Sequence, residues 1–273
     1  MRVSPEIFDS ATELGEAAAT LIADLIEEAA AAGTTFVLGC PSGRSALTTY
    51  QHLARQVADR GIGVEHVVIA LMDEYLVETA DGLRPVAVDE PHSCVGFGLR
   101  EILAPLSAAA PEGRGIPDDQ LWHPDPQDPG DFDRRIVEAG GVDVFILASG
   151  ASDGHVALNP VGSSITSRTR VVELEETTRR DNLSTFPTFA DLSEVPRYGV
   201  TVGVGTIRDL SKSVIMLAVG ADKREAVRHL EAADRYDPAW PATILSECAE
   251  PRFFIDTQSH DSTGARDLRD SAA

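Results

Sequence analysis

The chain has 273 residues, 43% of them hydrophobic, which is enough to bury the core of a single large domain. Its 44 acidic residues against 23 basic ones leave a formal net charge of -21, a surface that repels nucleic acid and anionic lipid, so neither is an expected partner. Three scattered cysteines without a CxxC pair exclude a disulfide framework and a zinc knuckle; no apolar run approaches the roughly 20 residues of a bilayer span, no leader pattern opens the chain, and a cytoplasmic location is expected.

Ser10 and Glu13 stand at the spacing in which each side chain can satisfy the other's backbone N–H at a helix start, and Leu14, Leu21, Ile22 and Leu25 then recur at helical spacing as far as Gly33. A β-rich run over 35–38 follows and ends in the small-residue turn Gly39-Cys-Pro-Ser-Gly-Arg-Ser45, after which 46–60 reads as a helix. The alternation continues with a strand over 66–72, helices over 93–106 and 132–139, and a strand over 142–148. Later strands are expected at 170–174, 198–202, 214–219 and 252–256, with helices at 223–232 and 242–247. Strands alternating with helices imply an α/β fold with a mainly parallel sheet and helices on both faces. The Pro-, Asp- and Gly-rich stretch 107–130 reads as a long surface connection, residues 1–257 as one domain, and the polar, aperiodic tail 258–273 as disordered.

Ligands of such sheets bind beyond the carboxyl ends of the strands, which directs attention to four turns. In the first, Ser42, Gly43, Arg44 and Ser45 would let backbone N–H groups and a helix N-terminus face an anion, although a plain strand-to-helix turn has the same composition. In the second, Asp73 and Glu74 precede Tyr75, and a carboxylate there could take a proton beside a carbonyl if burial raised its basicity; two solvated acids at a strand end are the plainer reading. The third, Asp153-Gly154-His155, sets an imidazole two residues from a carboxylate able to orient it. The fourth carries Lys223, which with Lys212 makes up the lysine content of the chain and could hold an anion or simply be solvated.

Taken together in this order, these turns resemble the glucosamine-6-phosphate deaminase/isomerase family, with further matches at Thr48-Thr-Tyr, Ser167-Arg-Thr-Arg170, Asp181-Asn182, Val195-Pro-Arg-Tyr198 and Thr201-Val-Gly-Val-Gly-Thr206. The resemblance implies a modified doubly wound, Rossmann-like sheet and conversion of an amino-sugar phosphate to a ketose phosphate with release of ammonia. By it Asp73 is the base that moves a proton between C2 and C1, His155 assists ring opening with Asp153 as its partner, and Ser42, Gly43, Arg44, Ser45 and Lys223 hold the substrate phosphate. No metal or organic cofactor is implied, the partner is a small-molecule sugar phosphate, and a homo-oligomer is expected. Three departures stand against this pattern. Asn159-Pro160-Val161 lacks the glutamate expected after the histidine loop, Ser184 occupies the place of a phosphate-binding arginine, and Arg44 replaces a small serine. Arg44 is the expected substitute for the missing arginine. Since only Arg170 survives of the allosteric phosphate ligands, no amino-sugar allostery is expected. A 6-phosphogluconolactonase, which shares the Asp-Gly-His turn and needs no such glutamate, is the alternative reading; a sugar-phosphate sensor without chemistry is the third.

Overall fold

The computed structural model describes residues 1–260. Strand β1 (Glu6–Phe8) leads into helix α1 (Ala11–Ala32), β2 (Phe36–Cys40) into α2 (Arg44–Arg60), and β3 (Val67–Leu71) directly into a hairpin of β4 (Asp73–Thr79) and β5 (Gly82–Pro85). A helical run follows in which α3 (Cys94–Phe97) passes through a π-helical stretch, Gly98–Leu103, into α4 (Ala104–Ala109). Then come β6 (Leu121–Trp122), α5 (Pro129–Glu138), β7 (Val142–Ala148), β8 (Arg170–Glu173), α6 (Glu176–Thr185) and β9 (Tyr198–Thr201). The chain ends in α7 (Val204–Leu210), β10 (Ser211–Ala218), α8 (Arg224–Ala232) and β11 (Pro251–Asp256). The expected capping at α1 is half realised. Ser10 accepts from the Glu13 N–H at 3.2 Å, but the Glu13 carboxylate turns back to the N–H of Asp9, and Gly33 closes the helix at a φ of 66° that favours glycine.

Seven strands pair in the order β1-β11-β10-β7-β2-β3-β6, every pair parallel. Their near-continuous apolar runs follow from burial on both faces. Leu38, Ile69, Ile146 and Leu217 pack with α1 and α2, while Val37, Ala70, Phe145 and Met216 pack with α5, α7 and α8. Each such side chain removed from water contributes on the order of 2 kcal/mol. Gly39 lies under the Phe145 ring, where an added Cβ would come within 2.1 Å of the ring, so the second core admits no larger residue there.

The strands expected at 170–174 and 198–202 do form, but not in the parallel sheet. They join the hairpin in a separate antiparallel sheet of order β5-β4-β9-β8, in which Asp73 faces Thr201 and Thr201 faces Arg170. The strand expected over 66–72 stops at Leu71, because Met72 is the joint between the sheets: its N–H donates to the Cys40 carbonyl (3.2 Å) and its carbonyl accepts from Val202 (2.8 Å). The stretch 107–130 also differs from the surface connection expected, since β6 adds a strand beside β3. The helix expected at 242–247 is a 3-10 turn, Pro241–Glu247. Within the expected tail, Ser259 is buried and donates to the Ala218 carbonyl at 2.9 Å; residues 261–273 lie outside the described residues.

This topology reverses direction once. From β2 the chain winds outward through β3 to β6, and from β7 it winds the other way through β10 to β11. Strands β2 and β7 are neighbours, so the turns that follow them open into one crevice.

Candidate active site

Strands β10, β7, β2 and β3 are adjacent and parallel, and each ends in one of the four turns read from the sequence. Lys223, the Asp153–His155 pair, residues 42–45 and Asp73 therefore follow one another along one end of the sheet, with strands roughly 4.8 Å apart.

At the end of β2, Gly43 caps α2 without a side chain, which leaves the first N–H groups of this 17-residue helix open toward the crevice. Tyr50 braces the turn by donating to the Pro41 carbonyl at 2.9 Å. Ser42, Gly43 and Ser45 are half-buried, whereas Arg44 is exposed.

Asp73 opens β4 and is buried. Burial pushes its carboxyl up to about 7; the Glu74 charge adds to the rise, and the Cys94 thiol, His155 and Ser42 act against it. A carboxylate whose proton affinity lies near neutrality can both take and return a proton. Glu74, read from sequence as an equivalent acid, has a different task. Its carboxylate accepts from the Ser93 hydroxyl (2.9 Å) and from the N–H groups of Tyr75 (2.7 Å), Cys94 (3.0 Å) and Val95 (2.8 Å), so it caps the helical run that starts at α3.

After β7, the Gly150 N–H donates to the His155 carbonyl at 2.7 Å and closes the loop. The His155 Nδ1 lies 2.7 Å from Asp153 Oδ1, which also accepts the His155 N–H at 3.1 Å. Both glycines of the loop are dictated by packing. A Cβ on Gly150 would stand 2.3 Å from the imidazole, and Gly154 has a φ of 64° with the Trp240 ring against it. Burial alone would raise the Asp153 carboxyl, but the hydrogen bond and charge of His155, with the Thr178 hydroxyl, hold it well below the usual carboxylate range.

Lys223 reaches back across β10 to donate to the Ser149 carbonyl at 2.8 Å, so its ammonium lies beside the histidine loop. Burial lowers its proton affinity; Asp222, Asp181 and Asp153 oppose that, and Arg44 adds to it. Lys212 is elsewhere, on Asp143 at the far end of β10 and β7.

Sequence reading missed α6. It presents Thr177 and Thr178 to Asp153, and Asp181 accepts from Ser152 at 2.9 Å. Its run Glu-Glu-Thr-Thr-Arg-Arg-Asp has no apolar stripe, so periodicity is silent there. Arg179, upstream of the site in sequence, is committed to the carbonyls of Leu192 and Val195. Arg170 donates to Asn159 Oδ1 (2.8 Å) and the Ser163 hydroxyl (3.0 Å), pinning the segment that carries Pro160. Two surface clefts, of about 630 and 710 Å³, lie beside residues 76–78 and 193–198 and along α6; Asp73, His155 and Lys223 line neither of them.

A sequence profile described as glucosamine-6-phosphate isomerases/6-phosphogluconolactonase matches residues 9–253. A glucosamine-6-phosphate deaminase of Bifidobacterium longum is 37% identical over 233 residues, covering 82% of this chain and 80% of the relative. Its counterpart in Mycolicibacterium smegmatis is 35% identical over 228 residues, covering 83% and 81%. Among solved structures, a monomeric glucosamine-6-phosphate deaminase superposes with a TM-score of 0.77 at 27% identity, covering 95% of this chain and 98% of that one. A 6-phosphogluconolactonase of Leishmania guyanensis shares the fold, with a TM-score of 0.67 at 17% identity and coverage of 96% and 99%.

Proposed function

The chain belongs to the glucosamine-6-phosphate isomerase/6-phosphogluconolactonase family, and from that premise we propose that it is a deaminating aldose–ketose isomerase acting on an amino-sugar phosphate. The observation that carries this reading is the placement of the four turns on four adjacent strand ends. His155, oriented by Asp153, moves the proton that opens the sugar ring. Asp73 then takes the C2 proton and delivers it to C1, leaving an imine at C2; water adds there and ammonia departs, so one water is consumed for each ammonia released. With no carboxylate at position 160, ring opening falls to the His155–Asp153 pair alone. The N–H groups at the start of α2, the Ser42 and Ser45 hydroxyls, Arg44 and Lys223 hold the phosphate.

Ammonia release from glucosamine 6-phosphate, with acid release from 6-phosphogluconolactone as the comparison, tests the assignment. Hydrolysis of the lactone without ammonia would end it. The lactonase reading has less support, since the lactonase likeness extends to fold alone while relatives above 30% identity are named deaminases. Two substitutions test the phosphate subsite as a pair. Arg44→Ala removes a cation and is expected to raise KM for the sugar phosphate about tenfold, the worth of one charged hydrogen bond. Asp181→Asn removes an anion acting on Lys223 and is expected to lower KM severalfold. Equal KM values for both variants and the parent would remove Arg44 and Lys223 from the subsite. A homo-oligomer in a cytoplasmic setting completes the reading; free, buried thiols at Cys40, Cys94 and Cys248 suit a reducing compartment, and sedimentation as a monomer would remove the first part.

A further inference from the structure

The Asp153 carboxylate accepts four hydrogen bonds, and they divide by oxygen. Oδ1 takes the Nδ1 and the backbone N–H of His155, at 2.7 and 3.1 Å. Oδ2 takes the hydroxyls of Thr178 and Thr177, at 2.6 and 3.0 Å. The first pair is local to the turn; the second comes from α6, 24 and 25 residues further on. A carboxylate held only through Oδ1 could swing about its Cα–Cβ and Cβ–Cγ bonds and take the imidazole with it. Held at both oxygens, it cannot. Thr177 and Thr178 stand in the first turn of α6, and both hydroxyls point off the helix at one acceptor.

The way α6 docks makes this contact more than a lock on a side chain. The helix lacks an apolar face, and the bonds that fix it are polar: Thr177 and Thr178 to Asp153, Ser152 to Asp181, and Arg179 to the carbonyls of Leu192 and Val195. Three of these contacts land on residues 152 and 153, three and two positions from His155.

We propose that Thr178, seconded by Thr177, is a positioning residue: by holding Asp153 Oδ2 it keeps the proton of His155 on Nδ1 and leaves Nε2 aimed at the crevice as the atom that exchanges a proton with substrate. Docking of α6 and readiness of the histidine are then one event. Thr178 is the stronger partner, buried and at 2.6 Å, while Thr177 is exposed. The chemical part of this proposal rests on the reading of His155 as the ring-opening group, and the experiment separates the two.

Thr178→Val keeps the shape and deletes the hydroxyl. It is expected to lower kcat for ammonia release about tenfold with KM within twofold of the parent, and to reduce the Nδ1–H tautomer of His155 seen by 15N NMR of the folded protein without substrate. Thr178→Ser is expected to restore both, and Thr177→Val to show a weaker form of each. Should the valine variant lose the fold, Thr178→Ala removes the same hydroxyl without a new methyl contact and carries the same expectations. A parental 15N signature in the folded valine or alanine variant overturns the positioning role. A changed signature with parental turnover upholds the positioning role and overturns the part given to His155.

Discussion

Asp73→Asn is expected to lower turnover about 10³-fold while making the folded protein more stable at pH 8. The loss follows from removing the group that takes and returns the C2 proton, since an amide in the same place can do neither. The gain follows from where the carboxyl sits. Burial raises it from 3.8, its value when free, to about 7 in the fold. The folded state therefore binds the Asp73 proton more tightly than the unfolded chain. The stability associated with that proton is complete below pH 3.8, declines as pH rises, and is gone above about 7. The difference is on the order of 4 kcal/mol. Urea denaturation of both proteins at pH 3.5 and pH 8 reads it directly, with near-equal stabilities at the lower pH and the asparagine variant ahead at the higher. In the parent enzyme the same ionisation gives an acid limb to the rate, rising as pH passes about 7. Turnover within tenfold of the parent in the asparagine variant would mean that another group moves the proton.

The contrast between Asp73 and Glu74 also marks how far the sequence could be read. Strands β2, β3, β7, β10 and β11 stood out because burial on both faces writes unbroken apolar runs, such as Val-Phe-Ile-Leu at 144–147. The turns at their carboxyl ends were legible for the same reason: once the runs were located, the residues that follow them had to lie at one rim. The hairpin of β4 and β5 was not found, although Asp81-Gly82 beside its two-residue loop is a turn signal and Gly82 takes a φ of 103°. Its strands are half exposed, and Glu78 and Thr79 dilute the pattern. Helix α6 was beyond any periodicity argument because it docks by hydroxyls and charges, and what holds Thr178 is a carboxylate distant in sequence. Sequence could pair Asp153 with His155, two residues apart, but not either with α6. The role of Glu74 was hidden likewise, since three of its four partners lie 19 to 21 residues away.

Glu74→Ala should show the reverse of the Asp73 result, a large loss of stability. The parent carboxylate is buried and fully used, accepting from one hydroxyl and three backbone N–H groups. Two of those N–H groups, on Cys94 and Val95, are among the unpaired donors that every helix start exposes, and an anion there also meets the positive end of the helix dipole. Alanine leaves these donors without a partner in a site closed to water, at about 1–3 kcal/mol for each such group and about 1 kcal/mol for the cap. Allowing for relaxation of the Ser93 hydroxyl, a total of about 3–5 kcal/mol is expected, which lowers the melting point of a chain this size by roughly 10 °C. Glu74→Gln keeps one acceptor oxygen but brings an NH₂ toward two of the four donors, and should fall between. Any loss of activity in either variant should follow the fraction folded, so that turnover per folded molecule at low temperature stays within about threefold of the parent. A melting point within about 3 °C of the parent for the alanine variant would show that the helical run does not depend on this cap. The two neighbouring carboxylates differ because they alternate across β4: one side chain meets the crevice, where burial outweighs the Cys94 and Ser42 contacts and raises its proton affinity, and the next meets a helix start, where every lone pair finds a donor.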